Sequence, residues 1–210
     1  MIFLTIKCTE TQTTSGSKAA PLSMVLSYMG IDFNLHCASI FPNTKSNIYI
    51  RNNKRPISVM SRINIVEERI HFLNINGVEN YATSPIEEIQ FFEDEHKATV
   101  FVFGLPGCSS ATRAWYEVME KGKINLFRMV NKNVQESKTY GSATTDQKIS
   151  TTYNYWIQQD NTCSQLKNIA EFQSLLIKAN PALKEKLPAR KLSDKKEADW
   201  VDLASIYNAL

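Results

Sequence analysis

A chain of 210 residues, 43% of them hydrophobic and 21% charged, is long enough to bury roughly 70% of the surface its unfolded form exposes, which excludes a disordered protein. The formal charge of +3 comes from 24 basic and 21 acidic side chains that run mixed along the chain, as in Glu93-Asp94-Glu95-His96-Lys97, so the clustered basic face of a nucleic-acid binder is not expected. No stretch approaches the roughly 20 apolar residues of a membrane-spanning helix, and a soluble domain is predicted.

The opening, Met1 to Cys8, is shorter than the apolar region of a signal peptide, and Lys7 before Cys8 spoils it as a lipoprotein cleavage site. It reads as the remnant of an export signal or as a start inside one. Residues 1–45 stand apart in character. A Thr/Ser-rich stretch from Thr9 to Ser17 precedes Ala19 to Met29, where Leu22, Val25, Leu26 and Met29 fall at helical spacing and Gly30 supplies a cap. Ser17-Lys18-Ala19-Ala20-Pro21-Leu22 to Gly30 resembles the start of the papain-like peptidases that process bacteriocin leaders. In that family a cysteine begins the helix, where the helix N-terminus stabilises a thiolate and a histidine activates it. Ser17 occupies that place here. The resemblance implies a hydrolase as the alternative reading of function.

From residue 46 the pattern changes to short strands, and 46–160 is predicted to be an antiparallel β region. Ile48 and Ile50 alternate with Tyr49; Ile57, Val59, Ile63, Ile65, Ile70 and Phe72 follow at period two. Asn76-Gly77 marks a tight hairpin between Ile70-His71-Phe72-Leu73 and Val78-Glu79-Asn80-Tyr81, since Gly adopts the positive φ the turn requires. Ile86 to Phe92 is a further strand. Thr99-Val100-Phe101-Val102-Phe103 is the most apolar of all and is placed centrally. A second hairpin joins Trp115-Tyr116-Glu117-Val118-Met119 to Ile124-Asn125-Leu126-Phe127-Arg128-Met129 around Gly122. Asn131 to Ser150, polar and interrupted by Gly141, is predicted to be a long loop, after which Thr152 to Gln158 returns to the sheet.

Residues 161–210 read as a helical segment packed on that sheet. Asn168 caps a helix carrying Phe172, Leu175 and Leu176, and Asn180-Pro181 interrupts it. Asp194-x-x-Glu197 suits a cap before a last helix with Trp200, Leu203, Ala204 and Tyr207 on one face. The densest basic run, Lys184 to Lys196, contains Glu185 and Asp194 and reads as a solvated face. The fold class is therefore α+β: an antiparallel β meander, as a sheet or a sandwich, closed by C-terminal helices, with 46–210 as one domain.

Gly104-Leu105-Pro106-Gly107-Cys108-Ser109-Ser110-Ala111-Thr112 follows a buried strand as a phosphate-binding loop does, but Ser109 and Ser110 stand where the glycine and lysine that cradle phosphate are needed. A surface loop is expected there, and a helix from Ser109 is what nucleotide binding would require. The carboxylate pairs Glu67-Glu68, Glu87-Glu88 and Asp94-Glu95 supply raw material for acid–base chemistry only if two acids converge in a cleft. Tyr153, Tyr155 and Trp156 read either as an aromatic platform or as a half-buried strand. Cys8, Cys37, Cys108 and Cys163 form no CxxC pair and have no histidine at zinc spacing. They are buried thiols or, in an exported protein, one or two disulfides. No residue is assigned a catalytic, cofactor-binding or metal-binding role.

From about Asn47 onward the order of features is similar to that of a group of exported β-rich proteins of Bacteroidetes. The residues that carry the likeness are Asn47-Ile48-Tyr49-Ile50, Ile63 to Phe72, the hairpin from Trp115 to Phe127, Tyr153-Asn154-Tyr155-Trp156-Ile157 and the ending Ile206-Tyr207-Asn208-Ala209-Leu210. The resemblance implies an architecture and a periplasmic or secreted address, and no activity. The expected function is non-enzymatic, a binding or structural role toward a protein or a component of the cell envelope.

Overall fold

The structure is a computed structural model that describes residues 8–12, 43–53, 55–94, 98–138, 145–160 and 162–210. The helix expected between Ala19 and Met29, and Ser17 with it, lies outside them. The described residues form eleven strands and three helices: β1 (Cys8–Gln12), β2 (Thr44–Ile50), β3 (Ile57–Asn64), β4 (Arg69–Leu73), β5 (Glu79–Tyr81), β6 (Ile86–Phe92), β7 (Ala98–Phe103), β8 (Trp115–Glu120), β9 (Asn125–Lys138), β10 (Thr145–Gln159), β11 (Thr162–Leu166), α1 (Ile169–Ala179), α2 (Leu183–Lys186) and α3 (Glu197–Asn208). The expected α+β meander is present as one sheet in the order β1-β10-β9-β8-β7-β6-β2-β3-β4-β5, with β11 also paired to β10. β7 is central, as its apolar sequence predicts. Gly77, at φ 73, closes the β4–β5 hairpin.

The order departs from a simple meander at two places: β1 pairs with β10, and β6 pairs with β2 and not with β5. Tyr81 and Ile86 are joined by four residues that span at most about 18 Å. Four flat inter-strand steps would need about 19 Å even with ideal alignment. This half of the sheet is therefore curled. Its core shows the same thing, since Ile48, Ile63, Ile70, Ile89, Phe91 and Phe101 bury one another and every member of their cluster lies on a strand. Phe91 and Phe101 meet edge to face with centroids 6.0 Å apart. Within this core Ser46 and Ser61, both fully buried, hydrogen-bond through their hydroxyls at 2.6 Å.

The other half of the same face is covered by the helices. Trp200, Leu203, Ala204 and Tyr207 of α3 and Phe172 and Leu176 of α1 are buried over β8–β11, as their spacing predicts. Tyr155 lies flat on Trp200, with centroids 4.0 Å apart and planes 5° from parallel. Asn168 caps α1 by accepting from the Glu171 N–H at 2.8 Å, and the Glu171 carboxylate returns to the Lys167 N–H at 2.7 Å. Asp194 does not cap α3. Its carboxylate accepts from the Ile169 N–H and so closes α1 from a distance, while the α3 cap position is Lys196, without a side-chain bond.

Three segments differ from expectation. Residues 131–138 and 145–150 are strand and not loop: β9 and β10 continue as a paired ribbon, with Lys138 opposite Thr145 and Asn125 opposite Gln158. Backbone pairing satisfies a largely polar ribbon that carries the apolar pair Val134 opposite Ile149 and no alternating stripe, so hydrophobic alternation does not reveal it. Thr162–Leu166 is strand and not helix, joined to β10 by five antiparallel residue pairs. Cys8–Gln12 pairs with β10 in parallel, a contact that no local pattern announces.

The β8–β9 turn and the end of α3 hold each other through Asn208. Its side chain accepts from the Ile124 N–H at 2.9 Å and donates to the Ile124 carbonyl at 3.2 Å. Gly122 leaves room for that amide, since a Cβ there would overlap the Asn208 side chain. Ile124 is fully buried, so Asn208→Ala strands two backbone groups and is expected to cost about 1–3 kcal/mol, read as a lower urea midpoint. Gly122→Ala is expected to lose the same bonds by displacement.

Candidate functional site

The face of β2, β6 and β7 opposite the curled core carries a cleft of about 1180 Å³. Alternation puts Tyr49, Gln90 and Val102 on its floor, with Tyr49 opposite Glu88 and Glu88 opposite Val102 in register. The pairing shifts register between Tyr49 and Ile50, opposite Glu88 and Ile86, which leaves Glu87 as an extra residue. Consecutive strand residues ordinarily face opposite ways. Through the bulge Glu87 and Glu88 both line the cleft. Glu87 is held by the Arg51 guanidinium at 2.8 Å on the exposed rim, and Glu88 accepts from the Gln90 amide at 2.7 Å. The Tyr49 hydroxyl reaches Gln90 Oε1 at 3.4 Å, so a polar ladder crosses the floor.

The opposite wall is the loop from Gly104 to Ala114. Gly104, at φ 75, turns the chain out of β7, and its N–H returns to the Ala114 carbonyl at 2.7 Å. Leu105 is buried with Tyr116, Phe127 and Trp156, which fastens the loop across the outer side of β8–β10. The Pro106 carbonyl accepts from the Gln158 amide at 2.7 Å, and the Thr112 carbonyl from the Tyr116 hydroxyl at 3.0 Å. Cys108 forms a disulfide with Cys163 on β11, their Cα atoms 5.5 Å apart. Arg113 sits over the Phe103 ring at 5.7 Å. No helix starts at Ser109: the chain turns through Ser109-Ser110 and enters β8, which removes the geometry a phosphate-binding loop requires.

The remaining expected groups lie apart. Glu67 and Glu68 sit in the β3–β4 turn; Glu67 approaches His71 at 3.4 Å, and Glu79 approaches its other ring nitrogen at 3.3 Å. Asp94 follows β6, while Glu95, His36 and His96 lie outside the described residues. Tyr155 and Trp156 are buried on opposite faces of β10, so with Tyr153 they make no shared platform. The acids that do converge on the helix-covered face are Glu117 and Glu197, both bonded to Arg128, beside Glu93. Burial raises the Glu117 carboxyl above the usual range, and Arg128 opposes that rise. Among the described residues no group of three or more His, Cys, Asp or Glu side chains is arranged to hold a metal, and no helix is long and apolar enough to cross a membrane.

Asp199, only 1% exposed, is a second buried acid, beneath α3. Burial raises its carboxyl, but hydrogen bonds from the Arg190 guanidinium and the Ser193 N–H outweigh burial and hold it below its ordinary range. A lowered folded value stabilises the fold above the ordinary aspartate pKa, and that stability is lost as pH falls through the folded value. Urea midpoints measured between about pH 5 and pH 2 are expected to fall less steeply for Asp199→Asn than for the parent.

No protein-family model, curated protein or solved structure matches this chain.

Proposed function

We propose that this protein is an extracytoplasmic binding protein without catalytic activity, and that its ligand sits in the cleft between the Gly104–Ala114 loop and the outer face of β2, β6 and β7. The observation that carries the reading is the cleft, a large concavity with few convergent polar groups built on central strands. Such concavities are where ligands ordinarily bind, and side chains on strands are held more firmly than those on loops. Glu87 is exposed and Glu88 half-buried, and both are already engaged, by Arg51 and Gln90, which suits recognition. Cys108 is bonded to Cys163, so it is not a nucleophile.

The disulfide supports the address, because such bonds persist in oxidising compartments. So does the likeness to exported β-rich proteins. The experiment is a screen of small polar fragments followed by amide chemical shifts on the oxidised protein. Shifts are expected to gather at Tyr49, Gln90, Val102 and Leu105. Hits gathered on the helix-covered face, or none in the cleft, overturn the assignment.

A further inference from the structure

We infer that the cleft takes a neutral oligosaccharide, an inference that rests on the binding role proposed above. The floor recognises through side chains alone. β6 is hydrogen-bonded on one side to β2 and on the other to β7, β2 is also paired with β3, and β7 with β8. No strand edge is left there for a peptide to extend, and a peptide laid across the floor would bring its own backbone N–H and C=O groups without ladder partners. A sugar carries hydroxyls instead, each both donor and acceptor, and is satisfied by side chains.

The side chains present are suited to that exchange. The hydroxyl of Tyr49, the amide of Gln90 and the carboxylate of Glu88 are joined edge to edge at 3.4 and 2.7 Å, which fixes their orientation. The ladder leaves the second Glu88 oxygen, an amide N–H of Gln90 and the lone pairs of Tyr49 with capacity to bond neighbouring hydroxyls. Tyr49 is also half-buried, so its ring offers an apolar face for the C–H side of a pyranose while its hydroxyl stays wet.

Charge and size point the same way. Arg51 and Arg113 are matched by Glu87 and Glu88, so the lining presents no net field to select a charged ligand. A nucleotide is disfavoured as well, because Arg51 and Arg113 are offset by Glu87 and Glu88 and, among the described residues, neither a lysine nor a helix N-terminus lines the cleft. At about 1180 Å³ the concavity exceeds the usual volume for one small molecule, about 300–1,000 Å³, and suits a chain of several sugar units.

The test uses the oxidised full chain with cellohexaose, maltohexaose, xylohexaose and mannohexaose as probes, and a neutral hexapeptide beside them. At least one oligosaccharide is expected to shift the amides of Tyr49, Gln90 and Val102, and Tyr49→Ala and Gln90→Ala are each expected to weaken it at least tenfold. Lys121→Ala, at the distant β8–β9 turn, is expected to leave affinity unchanged. Shifts at the cleft from the hexapeptide alone overturn the carbohydrate assignment and keep the cleft as a binding site. The assignment also fails if all four sugars leave the cleft silent; fragments that still gather there then preserve the binding role. Equal affinity in the Tyr49 and Gln90 variants overturns the proposed contacts.

Discussion

Arg128→Ala is expected to lower the unfolding free energy by about 3–5 kcal/mol, the usual loss when one partner of a buried ion pair is removed. The guanidinium and the Glu117 side chain are 15% and 12% exposed, with Nε and Nη2 at 2.9 and 2.6 Å from one Glu117 oxygen. A further bond to Glu197 ties β9 to the first turn of α3, and the cation lies over Tyr153 at 5.0 Å. Without Arg128, burial has no opponent at Glu117. A raised folded pKa means that the native state holds the proton more tightly than the unfolded chain, so stability declines as pH rises from the ordinary glutamate range toward the folded value. The variant is expected to show this decline more strongly, with a sign opposite to that of Asp199. The double change Glu117→Leu with Arg128→Leu is expected to regain most of the loss, because no charge is then stranded. Urea unfolding across pH reads all three, and a loss under about 1 kcal/mol for Arg128→Ala places the pair in water instead.

Opening the disulfide, by Cys108→Ser with Cys163→Ser, is expected to cost about 4 kcal/mol from the unfolded-state entropy of a loop closed over a separation of 55 residues. The loss has a local expression. Leu105 remains anchored in its apolar cluster, and Pro106 remains bonded to Gln158, so the loop stays on the sheet but its far part is released. Amide exchange is expected to accelerate from Cys108 to Arg113 while the β6–β7 ladder keeps its protection. An unchanged urea midpoint in reductant shows that the bond contributes nothing to stability.

The parts of the fold legible in the sequence are those set by local chemistry. Asn76-Gly77 and Asn168 act within a few residues, and the stripe of Trp200, Leu203, Ala204 and Tyr207 states its own buried face. The polar outer part of the β9–β10 ribbon was hidden because its strands are justified mainly by each other, with Val134 and Ile149 as an apolar pair and no alternating stripe. The cleft was half visible. The loop after β7 and the pair Glu87-Glu88 both stand out in sequence, the first by its glycines and the second as adjacent acids, yet a register shift against β2 is what turns both acids to one side. Tyr49 and Gln90 look like ordinary outward residues of alternating strands until β2 and β6 are set side by side. Glu117 and Arg128 escape for a similar reason: each is an unremarkable charge on its own strand, and the lid that removes them from water belongs to α3, far along the chain.

The parallel pairing of β1 carries a consequence for how the chain assembles. Cys8 lies opposite Gln147, whereas each of the other pairings joins strands much nearer in sequence. During synthesis β1 leaves the ribosome long before the strand it needs, and closing so large a loop is entropically slow compared with the hairpins. The sheet from β2 to β10 is expected to form first and to offer the free side of β10 as a template on which β1 docks last. Until that moment the growing protein exposes an unpaired strand edge, the interval in which it is most open to pairing with another copy of itself.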